Sequence, residues 1–164
     1  MSAEQSNPIL VRPLRPADIP AIAEFEREIA RISFPEDPVD DIAFYERKLA
    51  AAARDSKNHL IVLEQADRIA GWAWIAPRTN FITKETYGDL RSFYIAAPAR
   101  GTACAMRLMR ACLDFCREKG LSRVVGRTNA ANVNMQAIYR LFEFQPKHVT
   151  YELFLREDSP VRDR

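Results

Sequence analysis

Leu90-Arg-Ser-Phe-Tyr-Ile-Ala-Ala-Pro-Ala-Arg-Gly-Thr-Ala-Cys-Ala105 is an apolar run that passes through a turn of small residues straight into a helical pattern. Leu90 to Ile95 reads as a strand, and Ala97-Pro98 breaks it. From about Thr102 to Lys119, the residues Ala105, Leu108, Met109, Cys112 and Cys116 recur at helical spacing, with Gly120 as the stop. A helix start presents unpaired N–H groups and the positive end of the dipole, so small side chains there let a phosphate approach the backbone. The turn lacks the Gly-Lys-Ser or Gly-Lys-Thr of a P-loop and the spaced glycines of a dinucleotide fingerprint.

Upstream, Ile9 to Leu14 has extended character, and Asp18 offers a cap to a helix carrying Ile19, Ile22, Ile29 and Ile32. Asp37-Pro38 reads as a second helix start, with Val39, Ile42, Tyr45 and Leu49 as its stripe. The runs His59 to Gln65 and Arg68 to Ala76 flank Ala66-Asp67 as an antiparallel hairpin, which puts Trp72 and Trp74 on one face, toward the core. Arg78 to Gly88 reads as a long loop or an irregular extension of a strand. Downstream come a strand at Arg123 to Arg127 and a helix capped by Asn129 or Asn132 that runs to about Phe142. Strands near Phe144 to His148 and Thr150 to Leu155 complete the pattern.

The chain has 164 residues, 48% hydrophobic and 28% charged, which suits one domain with a real core and excludes disorder over most of its length. The domain is expected over residues 9–156, with flexible ends at 1–8 and 157–164. No apolar run approaches the roughly 20 residues of a membrane span, and residues 1–8 lack a secretory signal pattern, so a cytoplasmic protein is expected. Cys104, Cys112 and Cys116 are an odd count and read as buried thiols. His59 and His148 sit at no metal-motif spacing, so no metal is expected.

The net charge of +2 is unevenly spread: −3 over residues 1–60, +5 over 61–164 and +6 within 91–127. An anionic ligand suits that middle segment, although Arg107, Arg110, Asp114 and Arg117 also read as the solvated side of a helix.

Arg100-Gly-Thr-Ala-Cys-Ala105 fits the cofactor motif Gln or Arg, x, x, Gly, x, Gly or Ala of the GNAT superfamily of acyl-CoA-dependent N-acyltransferases, which the arrangement resembles. Leu90 to Ile95 with Pro98 is similar to that family's central strand and turn, and Asn132 followed by Tyr139 to its second cofactor motif. Ala103 stands where the motif has its first glycine, Glu143 where a glycine usually precedes an aromatic residue, and Met135 replaces a common alanine. The resemblance implies an α+β, three-layer fold in which a mixed, mostly antiparallel sheet of about six or seven strands is flanked by about four helices.

It also implies acetyl-CoA as acyl donor, bound by Phe93, Tyr94, Ile95, Arg100, Gly101, Thr102, Ala103, Cys104, Ala105, Asn132 and Tyr139. By the same resemblance Asp89 is the candidate base for the attacking amine, the backbone N–H near Tyr94 or Ile95 the oxyanion donor, and Tyr139 the acid for the departing thiolate. Each has a plainer alternative: Asp89 as a polar strand-start residue, Tyr139 as a core aromatic, Asn132 as a helix cap. The acceptor site is expected around Phe34, Glu36, Asp37, Asp40, Asp41, Arg78, Asn80, Phe81, Lys84, Glu85 and Tyr87, where the acidic groups either attract a cationic amine or serve as helix-cap carboxylates.

The expected function is transfer of an acetyl group to a small-molecule or peptide amine. The other reading is a non-catalytic relative of the same fold that binds CoA or a partner. Neither a membrane nor a nucleic acid is an expected partner, because the basic segment lacks a recognised nucleic-acid motif. Exposed sheet ends leave a homodimer open.

Overall fold

The computed structural model describes residues 8–155, so the expected flexible ends fall almost wholly outside the described residues. Five strands form one sheet in sequence order, β1 (Ile9–Pro13), β2 (His59–Gln65), β3 (Arg68–Thr79), β4 (Thr86–Ile95) and β5 (Val124–Gly126). All neighbours are antiparallel except β4 and β5, which run parallel. Helices α1 (Ile19–Ser33) and α2 (Ile42–Arg54) cover one face, while α3 (Thr102–Glu118) and α4 (Val133–Leu141) cover the other. The three-layer expectation therefore holds.

The β2–β3 turn places Ala66 and Asp67 both at positive φ, 53° and 58°, the two-residue geometry that matches the twist of a hairpin. Trp72 and Trp74 pack beneath α1 and α2 with Ile22, Tyr45 and Leu49. The indole of Trp72 donates to Glu26 at 2.9 Å, and Lys48 pairs with the same carboxylate at 2.8 Å, so the buried acid of α1 is satisfied from two elements. On the opposite face Leu108, Met109, Cys112 and Cys116 of α3 interdigitate with Ile61, Leu63, Ala73, Ile75 and Leu90. All three cysteines are free and buried, and burial raises their thiol pKa values, so none is poised as a nucleophile.

Three expectations are corrected. Helix α2 starts at Ile42, because Asp41 rather than Asp37 supplies the cap by accepting from the Ala43 N–H at 3.0 Å. Asp18 makes no side-chain cap to α1: Arg12 grips its carboxylate at 2.7 and 3.0 Å, which holds it below the usual carboxylate pKa range, and the same carboxylate accepts from the Arg15 N–H of the preceding turn at 2.7 Å. Of the two readings of Arg78 to Gly88, the extension of a strand holds at both ends, with Asn80 closing the turn by accepting from the Ile82 and Thr83 N–H groups.

The last correction concerns the sheet, which has five strands among the described residues rather than six or seven, since Phe144 to His148 and Thr150 to Leu155 form none. Pro146 lacks an N–H for a ladder, and β5 pairs over only three residues, which gives the following segment little edge to join. Val149, Tyr151, Leu153, Phe154 and Leu155 consequently lie exposed.

Candidate functional site

The site begins with one surplus residue. Trp74 opposes Ser92 whereas Ile75 opposes Leu90, so Arg91 is an unpaired bulge in β4. A bulge bends its strand, and the pairing of β4 with β5 ends at Leu90, immediately before it. Past that point the two parallel strands separate. The gap widens into a cleft of about 580 Å³ lined by Leu90 to Ile95, by Arg100, Gly101 and Ala105 at the start of α3, and by Asn132, Met135, Ile138 and Tyr139 of α4.

Ala96 donates its N–H to the Ala70 carbonyl on β3, and backbone groups alternate along a strand. The N–H groups of Phe93 and Ile95 therefore point away from β3, toward the gap. Tyr94 lies on the other face with its ring 4.8 Å from that of Phe25, while Phe93 and Ile95 pack toward α3. Among the backbone donors, this alternation selects Ile95, together with Phe93, over Tyr94.

Helix α3 opens at Thr102, with Gly101 as an extended N-cap that makes no side-chain cap bond, and its first internal bond runs from the Ala105 N–H to the Gly101 carbonyl. The N–H groups of Thr102, Ala103 and Cys104 precede that bond and carry the positive end of the dipole. A Cβ at Gly101 would meet nothing within 4 Å. Ala103 is exposed and in ordinary helical conformation, so a non-glycine residue is unstrained there. Arg100 folds back so that its Nε donates to the Ile95 carbonyl at 3.2 Å, with its guanidinium 5.8 Å from the centre of the Tyr94 ring. Cys104 is buried beneath the helix, its sulfur 3.7 Å from Gln65 Oε1, and neither it nor Ala103 lines the cleft.

Asn132 caps α4 by accepting from the Met135 N–H at 3.1 Å and lines the cleft as well. At the other end of that helix the Glu143 N–H bonds to the Arg140 carbonyl and the Phe144 N–H to the Tyr139 carbonyl, with Glu143 at φ 61°. This is a Schellman cap, and its usual apolar contact is made by Phe144 against Tyr139, ring centres 5.0 Å apart. The phenol of Tyr139 donates to the Arg127 carbonyl at 3.3 Å. Gly126 permits that approach, because a Cβ there would lie 2.2 Å from the phenol oxygen. Burial pushes the Tyr139 pKa up to about 12, against a smaller opposing effect of Arg127, so at neutral pH the ring keeps its proton.

Asp89 is 2% exposed and does not line the cleft. Its Oδ1 accepts from Arg127 at 2.7 Å, and its Oδ2 faces Arg91 at 3.4 Å and Arg78 at 3.5 Å. The acceptor residues expected from Phe34 to Tyr87 do not line the cleft either. Asp40 pairs with Arg31 at 2.6 Å, Asp41 caps its helix and Glu85 pairs with Arg123 at 3.0 Å, so those carboxylates serve local structure. In their place the cleft has Ile29, Ile32 and Ser33 from the end of α1, together with Arg91 and Arg127. From the sequence, Arg91 and Arg127 entered only as the ends of the basic segment expected to suit an anionic ligand, with no role of their own, and Phe144 as a strand start; Gly126 was missed, its one signal being an isolated glycine at a strand end. Among the described residues no three His, Cys, Asp or Glu side chains gather to hold a metal, and no helix is long and apolar enough to cross a membrane.

The fold is shared with solved structures of low sequence identity. A transcriptional regulator from Bacillus halodurans superimposes with TM-score 0.73 at 14% identity, covering 90% of this chain and 100% of the other. A protein from Clostridium acetobutylicum described as a predicted acetyltransferase with acetyl-CoA gives 0.69 at 16%, covering 90% and 96%. An aminoglycoside antibiotic 6'-N-acetyltransferase from Acinetobacter haemolyticus gives 0.71 at 13%, covering 91% and 99%. No curated protein matches the sequence. The model of the Acetyltransferase (GNAT) family matches residues 19–144, and the chain belongs to that family.

Proposed function

We propose that the protein moves an acetyl group from acetyl-CoA to a primary amine by direct transfer with both substrates bound. The observation that carries this reading is the convergence on one cleft of a splayed strand edge, an uncapped helix start and a protonated tyrosine. The N–H groups opening α3 and the guanidinium of Arg100 suit the pyrophosphate, while Gly101 leaves room beside them. The exposed edge of β4 suits the pantetheine amides, with Asn132 opposite.

A thioester held there supplies an electrophilic carbonyl carbon and a thiolate leaving group. The Ile95 and Phe93 N–H groups are the candidate donors to the carbonyl oxygen as it gains charge. Tyr139 is the candidate acid for the sulfur, since a phenol with pKa near 12 is fully protonated at working pH. Asp89 fits a positioning role, holding Arg127 and through its backbone the phenol of Tyr139, better than proton removal, because its oxygens are taken by guanidinium donors. No Asp, Glu or His among the described residues lines the cleft, so the amine's proton leaves to water in this reading.

The test is release of free CoA thiol from acetyl-CoA in the presence of a panel of amines, alongside calorimetric binding of acetyl-CoA alone. Saturable binding with amine-dependent thiol release supports the reading. Binding without release from any amine favours a CoA-binding module, for which Ala103 at the motif's glycine position is the one sequence feature.

A further inference from the structure

We infer that the acceptor is a small amine that also carries a carboxylate, recognised by Arg91 and Arg127; this inference rests on the acetyltransferase reading above. The guanidiniums of Arg78, Arg91 and Arg127 share the single carboxylate of Asp89, which leaves a net charge of +2 in the group. Among the described residues no other acid lies within ion-pair distance of these three arginines. They are 41 to 62% exposed, whereas Asp89 is buried, so the uncompensated charge faces outward.

Two of the three reach the cleft. The charged residues that line it are Arg91, Arg100 and Arg127, with no acid among the described residues to oppose them. Arg100 sits at the α3 end, folded onto Ile95, and belongs with the phosphates of the donor. Arg91 and Arg127 lie at the opposite end, where β4 and β5 part, and Val125 and Arg127 share the sheet face that carries Asp89. That face is the one covered by α1, so an acceptor entering past Ile29, Ile32 and Ser33 meets the pair before it meets the gap.

The pair is held in place. The Arg91 guanidinium lies 5.2 Å from the centre of the Trp74 ring while its Nε faces Asp89, which leaves its terminal nitrogens directed elsewhere. Arg127 is tied by its side chain to Asp89 and by its carbonyl to Tyr139. Prepositioned guanidiniums match a carboxylate in geometry and charge, and they repel a polycation such as a polyamine or an aminoglycoside. A carboxylate seated on them leaves the amine of the same molecule to reach the strand gap.

The experiment measures thiol release from acetyl-CoA with free amino acids, with the same amino acids as α-carboxamides, and with spermidine and kanamycin. The expected result is a kcat/KM at least about tenfold higher for the acids than for their amides, with the polycations poorer still. Arg91→Gln is expected to raise KM for the acids by about tenfold, leaving KM for acetyl-CoA and for the amides unchanged. Loss affecting all substrates alike would mark Arg91 as structural and overturn its assignment. Short acidic peptides used in place of free amino acids, with the same dependence on Arg91, would keep the recognition and move its source. Amides or polycations used as well as the acids would overturn the inference while leaving the acetyltransferase reading intact. Thiol release with no amine at all would overturn both.

Discussion

The phenol of Tyr139 and the carbonyl of Arg127 meet at 3.3 Å across a glycine, which ties the last turn of α4 to the end of β5 at the point where the sheet opens. The side chain of Arg127 continues the connection to Asp89 on β4 at 2.7 Å. One residue thus joins the proposed acid on one face of the sheet to the arginine cluster on the other.

Tyr139→Phe removes only the hydroxyl and keeps the ring against Phe144. If the phenol protonates the leaving sulfur, kcat should fall by about 10²-fold, with KM for acetyl-CoA changed by less than about twofold. Steady-state kinetics checks this, and equal losses in both parameters would mark Tyr139 as structural.

Gly126→Ala places a methyl inside the space of the Tyr139 ring, whose nearest three atoms would lie at 2.2 to 2.6 Å. The ring has to move, and misplaced catalytic groups are costly, so turnover should drop at least about tenfold. The double variant with Tyr139→Phe should lose less than the product of the two single losses, because part of the Gly126→Ala effect acts through the hydroxyl that Tyr139→Phe already removes, while the clash with the ring carbons remains.

Glu143 adopts the left-handed conformation of the α4 cap at φ 61°, where a Cβ costs roughly 1 to 2 kcal/mol. Glu143→Gly should therefore stabilise the fold by about 1 kcal/mol after its larger unfolded-state entropy is counted, raising Tm by about 2 to 4 °C. Thermal melting decides it; an unchanged or lower Tm contradicts the strain argument.

The pH profile separates two protons. Tyr139 has its folded pKa raised to about 12, above an unfolded value near 10, so its contribution to stability is full below pH 10 and is lost only as pH climbs toward 12. Its proton stays available throughout, so kcat should show no descending limb between pH 7 and about 9.5. With no acid or histidine among the described residues lining the cleft, kcat/KM should rise with pH through the acceptor's own amine pKa. An ascending limb near pH 6 that stays fixed when the acceptor changes would reveal a protein base and contradict this account.

Local patterning made much of the fold legible. The strand from Leu90, the helix from Thr102 and the Trp72/Trp74 face followed from periodicity, and Asn132 from capping chemistry. Pairing over distance was not legible. The alternating apolar residues from Val149 to Leu155 look like a strand, yet whether an edge accepts them depends on β5, which is three residues long. The bulge at Arg91 exists only relative to β3, and the arginine cluster assembles from positions 78, 91 and 127. Asp89 stayed divided between a base and a polar strand-start residue for the same reason, since the arginine that holds it, Arg127, is remote in sequence.

The central claim is that the cleft between β4 and the start of α3 holds acetyl-CoA. Titration calorimetry with acetyl-CoA on the wild-type protein and on Ala103→Asp tests it most directly. An added carboxylate in the first turn of α3 favours the helix dipole, so the variant's Tm should hold or rise, while its charge opposes a pyrophosphate at the same N–H groups. The account predicts saturable one-to-one binding to the wild type that weakens at least about tenfold in the variant. Equal affinity in the two proteins, or no heat with the wild type at millimolar acetyl-CoA, would contradict it.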